Sequence, residues 1–386
     1  MYLDIHALHT LPYANVNRDG LGSPKSCVYG GAPRIRVSSQ SWKRAARQEV
    51  EKGMESRTVR TRQIAAVLRE HLVDEHGWTA DDARRASRGI IHAYGLEPEA
   101  DDSTKVLLWL PVSVVRDLAQ LALDHRETLK TLPLPELDAK GKPKKLSAKE
   151  KETLQQTISA AVSAIAAPVT DILNSRHPVI ELLGRMLAEV PGHTVDGHTQ
   201  VAHAFTIHES APDFDYFTAV DDCAPGTGAG HLATAEFATG TFYRYCNVNV
   251  SQLASVLGDV DTAISLVQAW ARTFLTVVPT GKANSTAPAT RPDLVHLALR
   301  DAPLSLASAF EKPVPTSPDG FSEPGRRLLA AYTGRLHRFV DDPGHWSGYA
   351  SPYPEALPAL GSRHDSLDGL VRTVADTLAD RLRAAV

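Results

Sequence analysis

A block with helical periodicity, from about residue 60 to 186, separates two regions of the chain that alternate like β-strands. Before the block, apolar and polar residues alternate from Tyr2 to Ala7, which predicts a half-buried strand near the first residue. After the block, strands are predicted at Val201–Glu209, Phe237–Val250 and Leu294–Leu299, and helices at Val260–Val278, Glu323–Val340 and Ser366–Ala385.

Without the block, the predicted elements follow the order strand, helix, strand, strand, helix, strand. RRM-type modules share this order, and their sheets bind RNA. Between the second and third strands, Ala211–Glu236 is long, loop-like and rich in turn residues. Two paired strands that carry such an excursion predict a hairpin with a projecting tip.

Positive charge is concentrated near the N-terminus. Residues 1–47 contain seven Lys and Arg against two acidic residues, a local charge of +5 in a chain of net charge -4, which leaves -9 for the remainder. A basic segment inside an acidic chain is typical of a polyanion-binding site. Its centre is Tyr29–Arg47, where two glycines and a short strand carrying Arg34 and Arg36 on one face precede a helix.

The helix in this basic segment is predicted to be amphipathic, with Ser38 or Ser39 as its N-cap. Its N-terminal N–H groups and dipole are suited to phosphate. Four residues share the apolar face: Trp42, Ala45, Ala46 and Val50. Four share the polar face, where no cation has an acid three or four positions before it: Gln40, Lys43, Arg44 and Arg47.

Composition argues against several classes of protein. Cys27, Cys223 and Cys246 are odd in number and form no CxxC, which fits a reducing compartment and disfavours a disulfide framework or a thiolate zinc site. No apolar run approaches the roughly 18–20 residues of a membrane span, and the N-terminus does not resemble a signal peptide. We therefore expect a cytoplasmic protein with no membrane partner.

Three further sequence patterns are weaker indicators of a functional site. Histidines 193, 198, 203 and 208 recur every five residues, a spacing that does not share one helix face, so neither a metal nor another cofactor is expected. Gly281-Lys282 resembles a P-loop, but Thr276 and Ala283 occupy positions that require Gly and Ser or Thr. Four aspartates could hold magnesium or act in acid–base chemistry, although such clusters are commonly solvated: Asp213, Asp215, Asp221 and Asp222.

A lysine-rich segment interrupts the helical block. Breaker residues surround it, so it is most simply an exposed linker. A second nucleic-acid contact is the alternative. Its lysines are Lys140, Lys142, Lys144, Lys145 and Lys149.

Six segments, in order along the chain, resemble CasC, the Cas-seven backbone subunit family (RAMP superfamily) of the type I-E CRISPR Cascade complex. None of the six is a generic motif. They are IHALHTLPYANVNRDGLGSPKSCVYGGAPRIRVSSQSWKRAAR (5–47), GRM (184–186), VAHAFTIH (201–208), DYFTAVDD (215–222), ATGTFYRYCNVN (238–249) and LSLASAFEKPV (304–314).

The resemblance implies an α+β fold in which an RRM-like (ferredoxin-like) palm carries helical fingers and a β-hairpin thumb. The palm would comprise residues 1–58, 187–209 and 237–386, the fingers 59–186 and the thumb tip 210–236. It also implies a scaffold that is not an enzyme. Copies would stack head to tail along a CRISPR RNA, beside other Cascade subunits, and present the guide for pairing with target DNA in antiviral defence.

The resemblance also places individual residues. Six residues fall where the family touches the RNA backbone: Arg18, Lys25, Ser38, Gln40, Lys43 and Arg47. Residues in the same segment widen the predicted RNA-binding set to Asn17, Arg34, Arg36, Ser39 and Arg44. Met186 falls beside the bases. Tyr216, Phe217 and Thr218 fall on the thumb, where an aromatic wedge separates a kinked base, and the family more often has Trp at position 216. The lysines at 140–149 fall where relatives attract target DNA.

Two other functions stay open from the sequence. Related backbone subunits cut target RNA with a thumb aspartate, so a metal-dependent ribonuclease using the aspartates at 213–222 is the main alternative. The large helical share also allows a protein-only adaptor that binds no RNA.

Overall fold

The computed structural model describes residues 1–134, 144, 147–187, 194–220, 223, 229–341 and 344–384. The chain divides into two compact units. Unit 1 comprises Met1–Gly53 and Gly197–Val386, and unit 2 comprises Met54–Asp196.

Unit 1 begins with four elements: β1 (Tyr2–Ala14), β2 (Ser26–Tyr29), β3 (Ala32–Val37) and α1 (Ser39–Val50). Unit 2 contains β4 (Thr58–Thr61), α2 (Ile64–His76), α3 (Ala80–Ala93), β5 (Leu108–Pro111), α4 (Val114–Asp124), α5 (Arg126–Lys130), α6 (Ala148–Val162), α7 (Ala166–Leu173) and α8 (Pro178–Leu183). Unit 1 continues with β6 (Thr199–Val201), β7 (Ala204–Thr206), β8 (Asp213–Val220), β9 (Ala229–Asn249), α9 (Val250–Leu257), α10 (Val260–Thr276), α11 (Ala283–Thr286), β10 (Leu294–Arg300), α12 (Ser322–Val340), β11 (Trp346–Ala350), β12 (Ser362–His364) and α13 (Leu367–Ala384).

A large sheet organises unit 1. Its strands lie in the order β12-β11-β10-β1-β9-β7-β3-β2, and β6 and β8 also pair with β9. β1 is central and antiparallel to both neighbours, so that Ile5 lies opposite Cys246 on β9 and Leu297 on β10. The mixed α/β architecture predicted from the sequence is therefore present.

Both faces of this sheet are covered. On one face, Leu8 and Tyr243 belong to a core completed by Leu329 of α12 and by Phe310. On the other, the Arg244 guanidinium lies 3.7 Å from the ring centroid of Trp42 on α1 and 4.7 Å from that of Phe274 on α10. The prediction that β1 is half-buried is wrong, because Asp4 and His6 on its polar side are at most 1% exposed.

A long ribbon replaces the loop that the sequence predicted at Ala211–Glu236. β8 pairs with the first part of β9, from Asp213 opposite Phe237 to Val220 opposite Ala229. β9 runs for 21 residues because its first part forms this ribbon while its second part lies beside β1. The turn residues around Pro225 lie outside the described residues. The segment was predicted as a loop because its Gly and Pro residues are strong turn signals.

The helices of unit 2 enclose a core of their own, which includes Leu68, Ile90 and Leu118. One stretch among the described residues, Ala148–Leu173, is long and apolar enough to cross a membrane by length and composition alone. Ile158, Val162, Ile165, Val169 and Leu173 of this stretch belong to the core of unit 2.

Candidate nucleic-acid interface

The start of α1 is fixed by two side chains. Ser38 is its N-cap, and the Ser38 hydroxyl accepts a hydrogen bond from the Ser41 backbone N–H at 3.3 Å. The Ser38 backbone N–H donates in turn to Asn17 Oδ1 at 2.8 Å. Asn17, a predicted RNA contact, therefore ties the loop of residues 15–25, which we call the lead-in loop, to the first turn of α1.

The buried face of α1 is wider than its apolar residues suggest. Arg47 is 7% exposed and forms an ion pair with Glu51, which is 5% exposed, at 3.3 Å. The prediction placed Arg47 on the ligand-facing side, and this is wrong for the structure described here. Its partner lies four residues after it, in the turn that ends the helix, whereas the sequence argument considered acids that precede a cation.

Arg34 is also an internal residue. It is fully buried, and its guanidinium donates to the carbonyl oxygens of Thr206 at 2.8 Å, Phe310 at 3.1 Å and Glu311 at 3.2 Å. Arg36, two residues later, is half-buried and donates to Ser26 O at 3.2 Å. The prediction that both arginines face a ligand therefore fails for Arg34, which instead joins β3 to β7 and to the segment around Phe310.

An open polar cleft of about 750 Å³ lies between three segments of unit 1. The lead-in loop supplies Arg18, the exposed side of α1 supplies Arg44, and the Pro279–Lys282 segment supplies Lys282. Among the described residues, none of these three cations forms an ion pair. The uncharged donors Ser41 and Gln48 also line the cleft, together with one acid, Asp19.

The Asp19 carboxylate stabilises the fold of the cleft wall more than it neutralises the positive charge of the cleft. Its Oδ1 atom accepts hydrogen bonds from the backbone N–H groups of Leu21 at 2.8 Å and Ser23 at 3.1 Å. These bonds close a turn in the lead-in loop. The cleft therefore presents excess positive charge beside neutral donors, which suits a chain of phosphates.

Lys282 is the cleft residue that the sequence argument missed. The failed P-loop pattern removed it from consideration, yet it lies in the left-handed region (φ 52°) directly before the short helix α11. Gly281 beside it packs so closely on the lead-in loop that a Cβ would lie 2.6 Å from Val16 O. The Gly281-Lys282 pair in a loop of small residues was the available signal in the sequence. The left-handed backbone of Lys282, which often marks a functional position, is visible only in the structure.

Several predicted residues cluster beside the first turn of α1. The Ser39 backbone N–H donates to His203 Nδ1 at 3.1 Å. Burial first, and then the positive charges of Arg36 and Lys25, lower the pKa of His203. Lys25 and Arg36 are therefore close enough to act on this ring, and they extend positive charge towards the helix N-terminus.

The remaining predicted α1 residues differ in exposure. Gln40 is exposed beside Ser39, whose hydroxyl donates to Gln40 Oε1 at 3.4 Å. Lys43 is half-buried, with its Nζ atom 3.5 Å from Thr199 O on β6. Lys43 thus lies at the border of the exposed side of α1, whereas Arg44 lies within it.

The thumb residues lie on the ribbon. Tyr216 is 66% and Phe217 is 44% exposed, and Thr218 is exposed as well. Successive residues of a strand point to opposite faces, so Phe217 does not share a face with Tyr216 and Thr218. Tyr216 shares its face with Phe214, which is 75% exposed and which the sequence argument did not name.

Unit 2 carries the other predicted contacts. Met186 is 85% exposed. Of the five lysines, Lys144 and Lys149 are exposed, while Lys140, Lys142 and Lys145 lie outside the described residues.

Metal-binding side chains do not converge in the described part of the chain, where no three His, Cys, Asp or Glu residues are grouped to hold an ion. His208 is bound within unit 1, since its Nε2 accepts from the Thr241 backbone N–H at 3.2 Å and its ring stacks on Phe321 at 3.6 Å. His193, Asp221 and Asp222 lie outside the described residues.

The sequence and the fold match a known family. Residues 3–372 match the model of the CT1975-like protein family, and the chain belongs to this family. A solved chain from a "CRISPR RNA-guided surveillance complex, pre-nicking" is 41% identical with a TM-score of 0.85, covering 98% of this chain and 100% of its own. A second, from a "CRISPR RNA-guided surveillance complex", is 38% identical with a TM-score of 0.75 over the same shares. A comparison with curated proteins gives no match.

Proposed function

We propose that this chain is a guide-RNA-binding backbone subunit of a type I-E CRISPR interference complex. The cleft of Arg18, Arg44 and Lys282 carries the proposal. These three cations form no ion pair with any residue that the structure describes, and with the neutral donors beside them they suit a phosphate backbone. A subunit that accepts any guide sequence needs backbone contacts rather than contacts to base edges. The likeness over nearly the full chain to solved surveillance-complex chains supports this reading.

We propose further that unit 1 contains an RRM-like palm. Its strands β10, β1, β9 and β7 lie side by side in that order, and along the chain they alternate with α1 and α10 in the ferredoxin-like manner. RNA would not bind on an open sheet face as in RRM modules, since helices and loops cover both faces. It would instead follow the cleft at the end of β1, and copies would stack head to tail along the guide and hold it for pairing with target DNA.

A charge-reversal experiment tests the proposed RNA site. The double variant Arg18→Glu/Arg44→Glu, expressed with a guide-producing array, should lose co-purifying RNA because phosphates would meet two carboxylates. Arg335→Glu reverses an exposed charge on α12 outside the cleft and serves as the matched control. RNA retained by the double variant at the level of the control would contradict the proposal.

We propose that the subunit is a scaffold without nuclease activity and acts in the cytoplasm. Asp213 and Asp215 lie on one face of β8, two residues apart, and both are exposed. The ribonuclease alternative requires them to hold magnesium, so the assembled complex should be incubated with complementary RNA and magnesium. Cleavage that disappears in Asp215→Asn would replace the scaffold proposal with the nuclease.

A further inference from the structure

Asn15 joins the lead-in loop to the ribbon. It follows β1 directly, and its side chain is 2% exposed. Its Nδ2 atom donates to Gly22 O at 2.9 Å and to Glu236 O at 2.8 Å. Gly22 belongs to the lead-in loop, and Glu236 lies at the base of the ribbon opposite Phe214. Because an amide nitrogen has two N–H groups, one side chain holds both segments.

The backbone geometry explains why hydrogen bonds are needed to fix the chain at this position. The pairing between β1 and β9 shifts register between Leu11 and Ala14. Such a bulge disrupts the ladder and redirects the strand. The two hydrogen bonds of Asn15 come immediately after the bulge, so they set the direction in which the chain leaves the sheet towards Arg18.

The lead-in loop also contacts the other two walls of the cleft. Asn17 Oδ1 accepts from the first turn of α1, which carries Arg44. Gly281, beside Lys282, packs on the backbone of Asn15 and Val16. The cleft and the ribbon therefore both contact the lead-in loop. The Asn15 amide links this loop to the base of the ribbon through hydrogen bonds.

We propose that Asn15 is a positioning residue that holds the cations of the cleft and the aromatic side chains of the ribbon in fixed register, so that both engage one RNA strand. The inference rests on the proposed function of the cleft. Asn15 does not touch the strand itself, since its amide is buried and both N–H groups are used within the chain. Its contribution is preorganisation, which lowers the cost of ordering a loop upon binding.

The test compares Asn15→Leu with Asn247→Leu in the full chain. Both substitutions keep the number and branching of the side-chain heavy atoms and remove a buried amide. Asn247 is also 2% exposed and donates to Gln200 Oε1 at 3.0 Å and to Tyr245 Oη at 3.3 Å, within the sheet. Binding of a fluorescein-labelled single-stranded RNA is measured by anisotropy over a range of salt concentrations, and hydrogen exchange is measured on the RNA-free proteins.

We expect Asn15→Leu to weaken RNA binding about 10-fold, in keeping with two lost hydrogen bonds. The slope of affinity against salt should not change, because every cation is retained. Asn247→Leu should lower the melting temperature comparably and leave RNA affinity unchanged. In Asn15→Leu alone, exchange should accelerate at the Lys25 amide and along residues 213–218.

Equal RNA affinities for the two variants, or a reduced salt slope in Asn15→Leu, would overturn the positioning role. Unchanged exchange in the loop and the ribbon would show that Asn15 does not hold them together. A wild-type chain that bound no RNA would instead refute the proposed function, and the exchange measurement would still show whether the link exists.

Discussion

Arg44 and Arg47 lie three residues apart on α1, yet their surroundings give them different roles. Arg44 is exposed in the cleft, whereas Arg47 is buried with Glu51. A guanidinium in water can exchange its counterions for phosphates. A buried guanidinium that forms an ion pair with a carboxylate contributes to folding, because either partner left alone would be a buried uncompensated charge.

Substituting each arginine by alanine should separate these roles. Arg44→Ala should reduce the slope of log affinity for RNA against log salt by about 1, because one phosphate contact is lost, with an unchanged free energy of unfolding. Arg47→Ala should lower the free energy of unfolding by about 3 kcal/mol, because it breaks a buried ion pair and removes one counter-charge of Glu51. Salt-dependent anisotropy and urea denaturation of both variants check this, and the reverse pattern would contradict the assignment.

Buried titratable residues of the central sheet make stability depend on pH. Burial lowers the pKa of His9 and of His296 to about 3, and the pKa of His6 well below its usual 6.5. Burial raises the pKa of Asp4 from 3.8 to about 6, although hydrogen bonds from Tyr245 and Leu304 act in the opposite direction. These groups lie under α12 and α10 and do not line the cleft.

The free energy of unfolding should fall as pH drops from 7.5 to 5.5. The unfolded chain binds protons on its histidines below pH 6.5, whereas the folded chain does not until much lower pH, so acid favours unfolding. Asp4 acts in the opposite sense, since between about pH 6 and 3.8 the folded chain holds a proton that the unfolded chain lacks. Three histidines outnumber one aspartate, so the urea midpoint should decrease.

Asp4→Asn provides the internal control for this dependence. It removes the opposing proton uptake, so the decrease between pH 7.5 and 5.5 should become larger than in the wild type. A urea midpoint that stays constant or rises as the pH drops in this range would show that the buried histidines do not control stability at acidic pH.

At the scale of secondary-structure elements, one aspartate organises the arginines of α2 and α3. Asp102 is 2% exposed, with φ 64°, and accepts from Arg69 at 2.9 Å, Arg84 at 2.9 Å and Arg88 at 2.7 Å. The loop that carries it thereby joins both helices. Asn tolerates the same left-handed backbone, so a substitution can remove the charge without changing the turn.

Asp102→Asn should lower the free energy of unfolding by about 3 kcal/mol, because three guanidinium groups lose their shared counter-charge. Asp101→Asn is the matched control, since its neighbouring carboxylate is exposed and bonded locally to the Ser103 N–H. Thermal denaturation of the two variants compares them. Equal melting temperatures would mean that the arginines do not depend on Asp102.

The ribbon shows how strand geometry divides a predicted site. Tyr216 and Phe217 were predicted as one wedge, but adjacent residues of β8 face opposite sides. Phe214 and Tyr216 form an exposed aromatic face, while Phe217 shares its face with Asp213 and Asp215. A ribbon with aromatic rings on both sides can separate two stacked bases, and each side then makes its own contact.

At the scale of the whole molecule, the covered sheet directs the proposed RNA path. An RRM module exposes the sheet face opposite its helices, but here α12 and the segment around Phe310 occupy that face. The cleft at the end of β1 offers a cationic surface away from both covered faces. In the proposed assembly, a site at one end of the sheet would leave the RNA free to continue to the next copy.

If copies assemble along a guide, the number bound should rise in steps with RNA length. Native mass spectrometry of the chain with RNAs of increasing length should show one added copy per constant increment. The Arg18→Glu/Arg44→Glu variant should bind no copies, while Arg335→Glu should retain the wild-type steps. A single copy at every RNA length would contradict the polymerising scaffold.

Much of this protein could be predicted from local sequence. Periodicity located the helical block, α1, α10, α12, α13 and β10 to within a few residues, since these patterns depend on neighbours along the chain. The ordered motifs identified the family, and the charge of residues 1–47 indicated the basic region that contributes Arg18 and Arg44. A hairpin was predicted here, but the turn residues of Ala211–Glu236 hid the strands β8 and the start of β9. The cover on the sheet was not predicted, because it depends on packing between distant segments.

The sequence by itself determined which side chains carry charge and where the basic region lies, because these depend only on residue identity and local order. Tertiary structure decided which cations face solvent. Arg34 is bound by carbonyls 172 and 276 residues away, Arg47 is buried with Glu51, and Lys282 reaches the cleft through the contact of Gly281 with the lead-in loop. Burial is set by long-range packing, so local sequence patterns do not show whether a cation serves the core or a ligand.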